Sequence, residues 1–216
     1  MRNGQSGKYS AFTISHKKDK NMFYWIGIIF TLLAAYLIFR VIVRRDYLKR
    51  GSLSALGVTL EFVIFALHAN VIYLHLSVPW PQLPPAPENP AQLYLGSAVS
   101  ILGLLATLAI MAHLGFSTTM GQQPKGVRQT GPYRWTRNPQ LLTYGVLLLG
   151  FGIMYPSIQI AAWILLFAAI GYLMVLTEEE HLSNLFGENY NDYCNKVPRF
   201  IINWKKITSQ KQRNSQ

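Results

Sequence analysis

Long apolar segments with almost no charged side chains divide this chain, and they constrain its fold more than any other feature. A helix that crosses the hydrocarbon core of a bilayer needs about 20 predominantly apolar residues. The sequence offers candidates at residues 22–43, 52–78, 92–116, 140–155 and 158–177. Charged residues make up 13% of the chain, against about 25% in soluble domains. The sequence therefore predicts an all-α, polytopic membrane protein with about five transmembrane helices.

The connections between these segments are of two kinds. Residues 79–91 include six prolines, which lack an amide donor and fix φ, so we expect an extended loop there. By contrast, only Pro156 and Ser157 separate the last two segments. A link this short predicts that the last two helices form a tight antiparallel hairpin.

We expect four parts along the chain. Residues 1–21 form a polar, basic N-terminal tail, and residues 22–116 hold three transmembrane helices with the proline-rich loop 79–91. Residues 117–202 combine a polar loop, the helical hairpin and a further helix outside the membrane. Residues 203–216 form a basic C-terminal tail.

The charge of the chain indicates its orientation. A net charge of +11 would suggest nucleic acid in a soluble protein, but juxtamembrane Lys and Arg that face anionic lipid explain it here. With five spans, fourteen basic residues share one face with the C-terminus, and the positive-inside rule makes that face cytoplasmic. The five basic residues of the tail 1–21 conflict with this orientation, and a translation start at Met22 would remove the conflict.

The second apolar segment carries ionisable residues at intervals of seven. Glu61, His68 and His75 are expected to share one helix face, and such residues normally face the interior of a helix bundle. Seven residues rise about 10 Å, so the two histidines cannot chelate one ion from this helix. A metal or haem would need His113 as a partner, and Cys194 is the single cysteine. We predict no metal site and leave open a structural network between helices or the polar lining of a substrate cavity.

Two polar segments hold most of the side chains capable of chemistry. Residues 131–139 read GPYRWTRNP, a shaped loop whose arginines and aromatic rings suit anions and stacking surfaces. Glu178, Glu179 and Glu180 follow the fifth span. Adjacent carboxylates repel one another, so a protein cation or a ligand ammonium must offset their charge. By composition alone, the loop could also be a basic segment that binds lipid phosphates. The three glutamates could also form a solvated acidic helix face.

Together with residues 178–199, which read EEEHLSNLFGENYNDYCNKVPR, the loop resembles the isoprenylcysteine carboxyl methyltransferase and phospholipid methyltransferase family of integral membrane enzymes. The resemblance covers residues 117–202 and includes both motifs, their spacing and the hairpin between them. It implies that 117–202 is a methyltransferase core that binds S-adenosylmethionine without a Rossmann domain. By this resemblance, Glu178 meets the charged amino acid end of the cofactor, and the other cofactor residues are Tyr133, Asn138, Pro139, Gln140 and Leu141.

Two positions depart from the family pattern. Many relatives carry histidine where this chain has Asn138, which cannot titrate as a base. In the prenylcysteine enzymes an arginine four residues before the cofactor glutamate binds the substrate carboxylate, and here that position is Met174. The resemblance therefore leaves the methyl acceptor open.

We predict an integral membrane methyltransferase that transfers a methyl group from S-adenosylmethionine to a lipophilic or amphipathic acceptor, either isoprenylcysteine-carboxylate-like or phospholipid-like. Its partners would be this acceptor and membrane lipid. The reaction mostly needs alignment of the reacting atoms. We assign Arg137 to orientation of the acceptor and Glu179 to the role of base or cation partner. The alternative is a non-enzymatic transporter or scaffold that uses the ionisable face of the second helix.

Overall fold

The computed structural model describes residues 3–76, 78–114 and 126–200, with side chains from Lys20 onward except that of Leu114. The described residues form helices and no strand, which confirms the all-α prediction. The predicted C-terminal tail at 203–216 and the first part of the polar loop, 117–125, lie outside the described residues.

Seven α-helices follow one another in the described part of the chain. They are α1 (Asn3–Leu37), α2 (Arg44–Arg50), α3 (Ala55–Val71), α4 (Pro90–Leu114), α5 (Pro139–Met154), α6 (Ile158–Phe186) and α7 (Glu188–Lys196). A π-helical segment, Ile38–Val43, joins α1 to α2, and 3₁₀ turns cover Ile72–Leu74 and Gly131–Arg134.

Four of these segments are long and apolar enough to cross a membrane. They are Lys20–Arg50, Ala55–Leu74, Pro90–His113 and Ile158–Phe186. The fourth predicted span corresponds to α5, which has 16 residues and a length of about 24 Å. This helix is shorter than a typical hydrocarbon core of about 30 Å, so the count of five spans stays a prediction.

Several boundaries differ from the sequence prediction. The backbone of α1 is helical from Asn3, within the predicted tail 1–21. The first membrane helix continues past Arg44 to Arg50, where Gly51 adopts a left-handed conformation with φ 66°. The second span is shorter than predicted, because Ser54 caps α3 by accepting a hydrogen bond from the Gly57 amide. At its other end, α3 stops at Val71 and a 3₁₀ turn covers Ile72–Leu74. His75 therefore lies after the last turn rather than on the helix face.

Small residues bring α4 and α5 into backbone contact. A Cβ atom added at Gly96 would lie 2.8 Å from the carbonyl oxygen of Gly150, and one at Gly103 would overlap the backbone of Leu147. The Thr107 hydroxyl lies 2.9 Å from that of Thr143. These contacts make α4 and α5 antiparallel, and Gly150 permits their close packing. Close approach at small residues is typical of helix pairs in membranes.

The remaining spans pack around α6. The Tyr24 hydroxyl donates to the carbonyl of Gln159, at 2.5 Å. The indole of Trp163 donates to the carbonyl of His68 at 2.7 Å, and the two rings stack with centroids 5.0 Å apart. Two turns further along α6, Leu141 packs against Gly171. Helix α6 thus joins the N-terminal helices to the last part of the chain.

Candidate functional site

The polar loop reaches α5 through a 3₁₀ turn that packs on the end of α4. Gly131 has φ 58°, and a Cβ atom there would lie 2.7 Å from Nε2 of His113. The Arg128 guanidinium also donates to the His113 carbonyl, at 3.1 Å. Glycine at 131 therefore satisfies both the backbone conformation and the lack of space.

The end of the loop is tied to the segment after α7. The buried Thr136 hydroxyl and the Asn138 side-chain amide both donate to the carbonyl oxygen of Arg199, each at 3.1 Å. The Arg137 amide donates to the carbonyl of Pro198, at 2.9 Å. The two motifs of the sequence thus meet directly.

Arg137 and Glu179 form an ion pair in a largely buried position. Nη1 of Arg137 lies 2.9 Å from Oε1 of Glu179, and each side chain is 13% exposed. The Arg199 guanidinium lies 2.5 Å from Oε2 of the same carboxylate. These hydrogen bonds raise the pKa of Arg199 above its ordinary value. Two guanidinium groups therefore neutralise Glu179 and hold the loop and the C-terminal segment against α6.

Glu180 has a similar pair of partners on the other side of α6. The Arg44 guanidinium contacts its carboxylate at 2.6 Å, and that of Arg40 does so at 3.4 Å. Both arginines come from the C-terminal end of the first membrane helix. Arg40 also donates to the Thr177 hydroxyl, at 3.2 Å. Glu180 thus joins the first membrane helix to α6.

Glu178 lacks such a partner. No hydrogen bond or ion pair links its carboxylate to another side chain in the described part of the chain. Successive residues of a helix point about 100° apart, so the three glutamates face three different surroundings. Burial and, to a lesser degree, the Glu178 carboxylate raise the pKa of Tyr133 to about 12. A carboxylate left unpaired among paired neighbours is suited to a cationic ligand.

Two buried tyrosines of α7, Tyr190 and Tyr193, belong to a hydrophobic cluster beside the loop. The Tyr193 hydroxyl donates to the carbonyl of Tyr133, at 2.8 Å. Burial raises the pKa values of Tyr190 and Tyr193 well above the ordinary range. Both therefore stay neutral hydrogen-bonding groups at physiological pH.

The structure distributes the predicted site residues between two roles. The Glu178 carboxylate helps to raise the pKa of Tyr133. Asn138 instead uses its side chain to hold the Arg199 carbonyl. The others lie in the first turn of α5: buried Pro139, partly buried Gln140, and Leu141 against Gly171.

The residues predicted for catalysis, Arg137 and Glu179, are brought together, but as partners of each other. This pair ties the loop to α6, and the catalytic roles of the two residues stay predictions.

Sequence reasoning missed the arginines that come from the first membrane helix. Arg40 stands inside an apolar segment, and a charge at that depth normally requires a partner of opposite charge. The acidic triplet at 178–180 could supply that partner. Arg40 and the acidic triplet together could have indicated the contact between the first helix and α6.

Of the ionisable residues in the second segment, His68 is buried and packs against Trp163. His75 lies beside Tyr24, with ring centroids 5.6 Å apart. Across the described residues, no group of three His, Cys, Asp or Glu side chains could hold a metal ion.

Comparison with known proteins identifies the second half of this bundle. Residues 91–189 match the family described as phospholipid methyltransferase. This region is therefore similar to that family. It contains α4, α5, α6 and the intervening loop, and it matches the family that the two motifs indicate.

One curated relative is similar over part of its length. The nickel-cobalt-cadmium resistance protein NccN of Alcaligenes xylosoxydans xylosoxydans is 29% identical over 110 residues, which are 50% of this chain and 52% of that protein. The chain thus spans about half the length of this relative. No solved structure matches the chain.

Proposed function

We propose that this protein is an integral membrane methyltransferase that uses S-adenosylmethionine to methylate a lipophilic or amphipathic acceptor. The observation that carries this proposal is the unequal pairing of three adjacent carboxylates. Glu179 and Glu180 each bind two arginines, whereas Glu178 binds none among the described residues. This unpaired carboxylate lies within residues 91–189, which match the phospholipid methyltransferase family.

The residues present suit S-adenosylmethionine. Glu178 would hold its ammonium, since an unpaired carboxylate in a partly buried site favours a cation. Tyr133 offers an aromatic face beside it, and the first turn of α5 at residues 139–141 would form the adjoining wall. When bound, S-adenosylmethionine supplies an electrophilic methyl group. The contribution of this chain is to bind and orient the donor and to admit an acceptor from the membrane.

Arg137, Glu179 and Arg199 would fix the walls of this site rather than take part in the transfer. Their ion pairs hold the loop and the segment after α7 against α6. We place this face and the C-terminus in the cytoplasm, where the donor is available, in agreement with the distribution of basic residues.

The test is calorimetric titration of S-adenosylmethionine and S-adenosylhomocysteine into the detergent-purified protein. We expect both to bind, and we expect Glu178→Gln to weaken both by a similar factor because both carry the ammonium. Glu88→Gln is the matched control, since Glu88 is exposed in the proline-rich loop. Absence of binding to folded wild-type protein would contradict the proposal and would favour the transporter or scaffold alternative.

A further inference from the structure

A second carboxylate without a partner lies outside the family domain. Glu61 belongs to α3, and the family match begins only at residue 91. Its Oε1 atom is buried and has no hydrogen-bond partner among the described residues. Burial of an unpaired carboxylate oxygen is costly, so its retention needs an explanation.

The packing of α3 on α6 gives the level of Glu61 in the bundle. The ring of Phe65 lies 6.5 Å from that of Phe167, and His68 pairs with Trp163. Residue numbers thus rise on α3 while they fall on α6, so the two helices are antiparallel. Extrapolation by one turn from Phe65 places Glu61 near the level of Gly171.

This level is deeper in the membrane than Glu178 but remains part of the same site. Leu141, a predicted cofactor residue, packs against Gly171 at that level. Met174, on the next turn of α6, brings no charge, and no ion pair joins Glu61 to an Arg or Lys side chain among the described residues. A cationic ligand could supply the charge that this carboxylate lacks.

We propose that Glu61 is a specificity residue of the donor site and that its carboxylate stabilises the sulfonium of S-adenosylmethionine. This inference rests on the proposed function, in which Glu178 holds the ammonium. The sulfonium is a second positive centre, separated from the ammonium by the short methionine chain. The demethylated product, S-adenosylhomocysteine, keeps the ammonium but has a neutral thioether. Glu61 would thus favour the methyl donor over the product, and product would leave more readily after transfer.

The experiment compares the two ligands in wild-type protein, Glu61→Gln, Glu178→Gln and Glu88→Gln by calorimetric titration. We expect wild-type protein to bind S-adenosylmethionine more tightly than S-adenosylhomocysteine. In Glu61→Gln the ratio of the two affinities should fall about tenfold, which corresponds to about 1.4 kcal/mol. In Glu178→Gln both affinities should fall while their ratio changes little, and Glu88→Gln should behave like wild type.

Each other outcome overturns a stated part of this account. An unchanged ratio in Glu61→Gln, or equal loss of both affinities, would overturn the assignment of Glu61 to the sulfonium. Equal affinity of wild-type protein for the two ligands would do so without any variant, which covers the case in which Glu61→Gln does not fold. Failure of wild-type protein to bind either ligand would overturn the proposed function itself.

Discussion

Two regions of this bundle are held together by opposite means. The α4–α5 interface joins small residues, and the backbones of Gly96 and Gly150 touch without any charged group. The end of α6 instead binds neighbouring segments through four ion pairs of Glu179 and Glu180. Close packing leaves no room for a ligand at the first interface. The second leaves one carboxylate, Glu178, without a partner among the described residues, and there we propose that a ligand completes the set of charges.

The largest effect is expected from breaking the buried ion pair. Arg137→Ala would leave Glu179 with Arg199 alone, although both members of the lost pair are only 13% exposed. We expect the free energy of unfolding in detergent to fall by about 3 kcal/mol. Arg134→Ala is the matched control, because Arg134 is exposed in the same loop. Equal effects of the two substitutions would show that the ion pair does not hold the loop.

A slightly smaller effect is expected at the small-residue interface. The Cβ atom of Gly103→Ala would overlap the backbone of Leu147, so we expect a loss of about 2 kcal/mol in unfolding free energy. Gly145→Ala is the control, since its Cβ atom would meet nothing closer than Phe167, at 3.9 Å. That variant should keep or gain stability, because alanine favours a helix over glycine by up to about 1 kcal/mol. Similar losses in both variants would contradict close contact at 103.

A small and salt-dependent effect is expected at Glu180. Arg44 is 43% exposed, so water and ions screen its ion pair, and Arg40 remains as a second partner. Arg44→Gln should lower the unfolding midpoint slightly at low ionic strength, and the difference should vanish in high salt. A large loss that persists in high salt would show that Arg44 acts through packing instead.

The helical bundle and its motif loops could be predicted because they depend on local pattern. Apolar length predicted the spans, and proline with a two-residue link predicted the turn before α6. The helix itself is longer than the predicted span. The sequence predicted a span that ends at Thr177, whereas α6 continues to Phe186. Three adjacent glutamates resemble the boundary of a membrane segment. They continue the helix here because arginines from distant parts of the chain neutralise two of them.

The pairing within the site could not be read from the sequence for the same reason. Arg40 and Glu180 are separated by 140 residues, and no local periodicity links them. The family pattern identified the acidic motif as a whole, but only the packing of the first membrane helix and the C-terminal segment distinguishes Glu178 from its neighbours. Glu179 was predicted as a base or cation partner, and it has two guanidinium partners; its role and that of Arg137 in catalysis stay predictions.

The most direct test of the central claim combines stability and ligand binding in Glu178→Gln and Glu180→Gln. Thermal unfolding in detergent would be measured with and without S-adenosylhomocysteine. If Glu178 is the carboxylate reserved for a ligand, Glu178→Gln should unfold at the same or a higher temperature than wild type and lose the stabilisation by ligand. Glu180→Gln should unfold at a lower temperature and keep that stabilisation. A Glu178→Gln protein that is less stable yet still stabilised by the ligand would contradict the account.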